Sequence, residues 1–281
     1  MTSEHVTGAA EQYETDGYAR VQDVLDRDLI EEARRHVGWL RERNPDRRPE
    51  NLDYDLVQRD AFWVRLISDD RLLDIAEAFL GPDVALFASH YIAKPPGDGQ
   101  PVLWHQDGVY WPLEPDRDVI TIWLALDEST PENGCMRVIP GTQTMAFHDL
   151  EERTDVENVL NSEIAIEVNE SDAVDIELEP GDVSVHHPAI LHGSEGNTSE
   201  RWRRGLTIRY IPTTTRITER SWPACFLLRG SPEPGVNTYQ PWPLYGPDAN
   251  TSMEFADWEA YNERATAMNE RVDEAGYLAD E

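Results

Sequence analysis

Lysine is almost missing. Of the 24 basic residues in this 281-residue chain only Lys94 is a lysine, and the others are arginines. Against them stand 55 aspartates and glutamates, for a formal net charge of −31. Such a surface repels nucleic acid and anionic membranes. It also disfavours polyphosphate substrates such as CoA thioesters unless a local basic patch exists. Adaptation to high salt and a G+C-rich genome that swaps Lys for Arg account for the composition equally well. Cysteine is scarce too. Cys135 and Cys225 cannot build a disulfide framework or a four-cysteine zinc site. No apolar run approaches the roughly 18 residues of a membrane-spanning helix, and no repeat or low-complexity linker is visible. Met1 to Asp16 is polar and acidic, without the basic and apolar regions of a secretory signal, so cytoplasmic residence is expected. Nothing in the sequence sets an oligomeric state.

What is present has the length of one large domain. Over Asp23–Arg43 the residues Val24, Leu25, Leu29, Ile30, Ala33, Val37 and Leu40 recur at helical spacing, with Asp26 or Asp28 as cap and His36 on the solvated side. A second helix is expected over Asp70–Leu80, stopping at Gly81-Pro82. The texture then changes to short strands with Gly/Pro turns: Val84–Ala93, Val102–Asp107, Val119–Leu126, Arg137–Ile139, Ile164–Val168, Ala173–Leu178, one after Gly181-Asp182, and Gly205–Ile211. This predicts a mainly β protein, a sandwich or barrel, with flanking helices. Residues 1–82 read as mostly helical support and 84–212 as the β core. The acidic stretch 145–175 reads as an insertion or lid, and 213–281 as an extension ending in a helix over Met253–Glu274.

The chemistry starts at Trp104-His105-Gln106-Asp107. On a strand, residues i and i+2 share a face, so His105 and Asp107 project together while Gln106 points away. An imidazole and a carboxylate on one face are two thirds of the two-His-one-carboxylate set that binds Fe(II) and leaves positions open for substrate and oxygen. A lone His-x-Asp also arises by chance. The third ligand would come from His186, His187 or His192, and spacing alone does not choose among them. Arg201, Arg203, Arg204 and Arg209 enter an apolar strand. They need either surface carboxylates or a dicarboxylate ligand held by bidentate guanidinium bonds. Tyr110 and Trp111 follow the His-x-Asp and either line a substrate pocket or fill space. Trp222, Phe226, Trp242 and Tyr245 give the C-terminal extension the character of a cover over a mostly apolar small molecule.

Three blocks resemble the phytanoyl-CoA dioxygenase family of Fe(II)/2-oxoglutarate oxygenases, which includes phytanoyl-CoA hydroxylase and ectoine hydroxylase. They are Lys94-Pro-Pro-Gly with Trp104-His-Gln-Asp107; Ile122-Trp-Leu-Ala-Leu-Asp127 with Glu132-Asn-Gly-Cys-Met-Arg-Val-Ile-Pro-Gly-Thr142; and Gly181-Asp-Val with His192-Gly-Ser-Glu-Gly-Asn197-Thr-Ser199 and Arg203. Order and spacing agree over about residues 13–212. The resemblance implies a double-stranded β-helix core, a jelly roll of cupin-like form. It implies His105, Asp107 and His192 as ligands of Fe(II), with 2-oxoglutarate and O2 as cosubstrates. It further implies Arg203, eleven residues after the distal histidine, as the partner of the 2-oxoglutarate distal carboxylate, with Gln106 and Trp123 nearby. The Gln106 role conflicts with strand parity. Arg203 shares parity with Thr207 and Arg209, not with Leu206 and Ile208, so reaching the core calls for a bulge or bend near Gly205.

The expected activity is hydroxylation, or another oxidation, of a carbon in a small molecule. Related halogenases carry Gly or Ala in place of the carboxylate, so the intact Asp107 favours hydroxylation over halogenation. Two rivals use the same ligands: a non-catalytic jelly-roll binding protein and a zinc hydrolase. Neither has use for Arg203.

Overall fold

The structure is a computed structural model. It describes residues 3–279 apart from 53, 220 and 221. Among the described residues the α-helices are α1 (Ser3–Asp16), α2 (Arg27–Arg43), α3 (Ala61–Ile67), α4 (Asp70–Leu80) and α5 (Trp258–Glu274). The strands are β1 (Tyr18–Val21), β2 (Val84–Lys94), β3 (Val102–His105), β4 (Leu113–Glu114), β5 (Ile120–Ala125), β6 (Met136–Ile139), β7 (Leu150–Glu152), β8 (Ser162–Ile164), β9 (Val174–Ile176), β10 (Val183–His186), β11 (Leu191–Ser194), β12 (Arg203–Pro212), β13 (Arg216–Ile217) and β14 (Phe226–Arg229). A larger antiparallel sheet runs β1-β10-β5-β12-β2-β14, and a smaller one runs β3-β11-β6-β9. Together they form the jelly roll. No helix among the described residues is long and apolar enough to cross a membrane.

The helices form where local chemistry starts and stops them. The Asp26 carboxylate accepts from the Leu29 amide at the start of α2, and Asp60 and Asp69 do the same for α3 and α4. Helix α4 ends at Gly81, whose φ of +88° suits a residue without a Cβ. The apolar stripes of α2, α3 and α4 pack with β2, β5 and β12 into one core. The outward face of β12 supplies Leu206, Ile208 and Tyr210 to it, and the Tyr210 hydroxyl donates to the Ile67 carbonyl at 2.6 Å.

Three expectations need correction, and one helix was not anticipated. His36 is not on a solvated face: it is fully buried, its Nε2 2.7 Å from Asp60 Oδ2 and its Nδ1 3.0 Å from the Tyr91 hydroxyl. An aspartate on α3's cap supplies a partner that helical periodicity could not reveal. The strand expected over Val102–Asp107 ends at His105, because Asp107 opens a 3-10 turn, Asp107–Tyr110, behind an extended Gln106. The strand placed over Ile164–Val168 is Ser162–Ile164, paired with β7 as a small hairpin inside the 145–175 segment. Helix α1 carries a weak apolar stripe and escapes periodicity altogether.

Candidate active site

Strands β3 and β11 are antiparallel neighbours, and their register sets His105 directly opposite His192. The two rings lie 4.0 Å apart between centroids. Asp107, two residues past His105, brings its Oδ1 to 3.5 Å from His105 Nε2 and 3.9 Å from His192 Nε2. Ligand-capable atoms of the three residues all lie within 4.8 Å of one another, and all three side chains are buried.

The hydrogen bonding fixes which nitrogens face inward. His105 Nδ1 lies 2.8 Å from the Leu103 carbonyl, and His192 Nδ1 lies 3.1 Å from the Ile190 carbonyl. A carbonyl only accepts, so each Nδ1 carries a proton and Nε2 is the atom turned to the cluster. Burial, then the neighbouring His105 and His186, holds His192 well below the usual imidazole range, so it is neutral at ordinary pH. Burial alone would raise the Asp107 carboxyl, but the Arg209 guanidinium outweighs it and keeps the group ionised. Two imidazoles turned with Nε2 inward and a carboxylate, with backbone carbonyls behind the rings, fit a divalent iron.

Arg203 begins β12 and is almost fully buried. Its Nε and Nη2 donate to the Gly134 carbonyl at 3.0 and 2.6 Å, and longer contacts reach the Ile92 carbonyl and Ser194 Oγ. No carboxylate among the described residues lies within ion-pair distance of it. Burial lowers its pKa to about 10, which still leaves it a cation at neutral pH. Gly134 takes a left-handed φ of +78°, and a Cβ there would stand 2.4 Å from the Glu195 carbonyl oxygen, so glycine is required for that carbonyl to be offered. The Trp123 ring lies under the guanidinium, 5.2 Å from centroid to Cζ. Gly205 makes room for the ring, since a Cβ there would sit 2.1 Å from Trp123 Cζ2.

No bulge at Gly205 is needed. The register of β12 shifts between Arg209 and Tyr210 instead. The odd-numbered face, with Arg203, Thr207 and Arg209, is the cavity wall, and the even-numbered face packs on the helices. Parity was right, and the assumption that the apolar face looks into the site was wrong.

A cavity of about 310 Å³ joins these parts. His105, Asp107, His192, Arg203, Trp123, Tyr110 and Trp111 all line it. Gln106 does not. Its amide donates to the Ala146 and Ala189 carbonyls and its Oε1 accepts from the His148 amide, so it ties loops together behind the site. Asn197 likewise fixes the loop after β11, bonding the Lys94 and Arg201 carbonyls and Ser199. Sequence reasoning gave no role to the cavity residues Phe87, His90, Ser194 and Thr207. It singled out Arg209 among the strand arginines and put Thr207 and Arg209 on one face with Arg203, the face that lines the cavity. The sole lysine, Lys94, is the register partner of Arg203. Fully buried, it donates to Ser194 Oγ at 2.7 Å and to the Glu195 carbonyl, and burial and Arg203 depress its pKa well below the usual range.

The jelly roll thus brings two histidines and an aspartate together beside an arginine with no carboxylate partner among the described residues. The sequence profile of the family described as phytanoyl-CoA dioxygenase matches residues 13–205, and the chain belongs to that family. The chain is 28% identical over 158 residues to peroxisomal phytanoyl-CoA dioxygenase of Bos taurus, covering 54% of this chain and 47% of the relative. It is 34% identical over 155 residues to a probable alpha-ketoglutarate-dependent hypophosphite dioxygenase of Stutzerimonas stutzeri, covering 52% and 51%. The chain thus spans about half the length of these curated relatives. Among solved structures, the apo form of the non-heme monooxygenase ThoJ superposes with a TM-score of 0.70 at 24% identity, covering 95% of this chain and 98% of that one. That likeness is one of fold.

Proposed function

We propose that this chain is an Fe(II)- and 2-oxoglutarate-dependent dioxygenase that hydroxylates an unactivated carbon of a small-molecule substrate. The observation that carries this reading is Arg203. A buried guanidinium with no carboxylate partner, facing the same cavity as a two-histidine, one-aspartate cluster, calls for an anion supplied from outside. The distal carboxylate of 2-oxoglutarate is such an anion. With iron and 2-oxoglutarate bound, O2 would be the oxidant, one oxygen atom ending in succinate, formed with loss of carbon dioxide, and the other in the substrate hydroxyl.

The chain's own residues bind, orient and exclude water. The Nδ1 bonds of His105 and His192 hold both rings in the metal-binding tautomer. Arg203, desolvated and backed by the Gly134 carbonyl, orients the oxo acid, with Trp123 closing one side. Tyr110 and Trp111 form the substrate side. The 145–175 segment acts as a lid there: Val159 and Leu160 line the cavity, and the Tyr110 hydroxyl meets Ser162 Oγ at 2.8 Å.

The test is anaerobic mixing with Fe(II) and 2-oxoglutarate. A visible metal-to-ligand charge-transfer band is expected, and succinate should follow on admitting oxygen. Absence of both would return the site to the zinc-hydrolase or binding-protein alternatives.

A further inference from the structure

Part of the cavity is left unexplained by the iron ligands and Arg203. On the inner face of the larger sheet, His186 of β10, Thr121 of β5 and Arg209 of β12 are successive cross-strand partners, so they stand side by side next to Asp107. Thr121 Oγ1 donates to Asp107 Oδ2 at 3.2 Å. Arg209 Nη2 is 3.4 Å from each Asp107 oxygen, long for a charge-assisted pair, which usually closes to about 2.7–2.9 Å. Its Nη1 meets His90 Nδ1 at 3.0 Å and Thr207 Oγ1 at 3.1 Å. Among the described residues Arg209 Nε and both ring nitrogens of His186 make no hydrogen bond, the nearest acceptor of His186 being Asp107 Oδ2 at 3.6 Å from Nε2. Yet His186 is 1% exposed and Arg209 7%. Buried polar atoms without partners are costly, and both of these side chains line the cavity.

Charge points the same way. Two arginines, Arg203 and Arg209, line the cavity, and Asp107 is its one carboxylate among the described residues. A divalent iron and a doubly charged oxo diacid cancel each other, which leaves one positive charge uncompensated. A ligating Asp107 also shares its charge with the metal, so Arg209 keeps capacity for a second carboxylate. Around Arg209 the walls are aromatic. Its guanidinium lies 5.2 Å from the Trp111 ring centroid, and Phe87 and Trp222 stack 4.6 Å apart at 8°.

We infer that the substrate is a monocarboxylic acid with an apolar or aromatic body. Its carboxylate is held by Arg209 and His186, and its body rests on Trp111, Phe87 and Trp222. Cross-strand neighbours of Asp107 are well placed for this, because they fix one end of the substrate next to the metal site. The inference rests on the oxygenase reading above.

The experiment titrates the anaerobic complex of protein, Fe(II) and 2-oxoglutarate with 3-phenylpropanoate and octanoate, each against its primary amide. The acids should perturb the charge-transfer band at concentrations at least about tenfold below the amides. In Arg209→Gln, supplied with Fe(II) and 2-oxoglutarate until its band saturates, that preference should vanish, and Arg209→Lys, which keeps a cation beside Asp107, should retain part of it. His186→Phe should weaken acid binding severalfold. Equal response to acid and amide, or no response to either acid, overturns the inference while leaving the oxygenase reading intact. Failure of the band to form without any probe removes that reading and this inference together.

Discussion

Two buried imidazole sites, built from the same residue types, differ in what they leave open. In the helical layer, His36 has both nitrogens closed by Asp60 and Tyr91. The other oxygen of Asp60 accepts from the Trp63 amide and Ser252 Oγ. Phe62 and Trp63 pack around the ring, so nothing further can enter. In the jelly roll, His105 and His192 have only Nδ1 closed, and their Nε2 atoms face Asp107 across 3.5 and 3.9 Å. An unsatisfied buried polar group costs about 1–3 kcal/mol. The first site avoids that cost within the fold. The second bears it unless a ligand arrives, and this separates a structural histidine from a functional one.

The comparison can be broken most sharply at Asp107. Asp107→Ala is expected to abolish Fe(II) binding and hydroxylation, read by calorimetry and by succinate release with iron and 2-oxoglutarate supplied. Full activity would remove Asp107 from the ligand set. Next comes Arg203→Gln, which should raise the KM for 2-oxoglutarate by about 10²-fold, the scale of losing one buried charge pair. Unchanged KM would show that the oxo acid does not reach this arginine. In the helical layer His36→Phe strands Asp60 in the core and should cost about 3 kcal/mol in urea unfolding. The charge-transfer band of the folded protein should not change. A lost band with unchanged stability would reverse the roles of the two sites.

The smallest effect is in pH. Burial and Arg209 push His90 down to about 3, and burial with Arg117 pushes His187 to about 4, against 6.5 for a free imidazole. Between these values the unfolded chain binds protons that the folded chain refuses, so stability is complete above pH 6.5 and falls as the pH drops towards 4. Urea midpoints at pH 7, 6 and 5 should decline, and His187→Gln should make the decline shallower. A midpoint that rises towards pH 5 would contradict the desolvation of these two half-buried rings.

Much of this was legible in the chain. Helix α4 and strands β2, β5 and β12 follow directly from periodicity and turn residues, because a segment buried on one face must repeat its apolar positions. His105 and Asp107 were readable from their spacing, although Asp107 lies in a turn past the strand end. Gln106 shows where a resemblance and local geometry part. The strand parity that turned its side chain away was correct, and its amide is used up on backbone groups of other loops. His36 shows the opposite failure, since a helix pattern reports which face is apolar but not which polar group is waiting across the interface.

By itself the sequence determined the element types, the acidic surface, and the residues able to bind a metal and an anion, because these depend on side-chain chemistry and local repeat. Only the tertiary structure decided that His192 rather than His187 stands opposite His105, that Arg203 is left without a carboxylate, and that Arg209 and His186 share a wall with Asp107. Those facts come from strand register between segments far apart in the chain. Register follows from matching the apolar faces of paired strands and from the turns between them, so for strands far apart in the chain no single segment contains it.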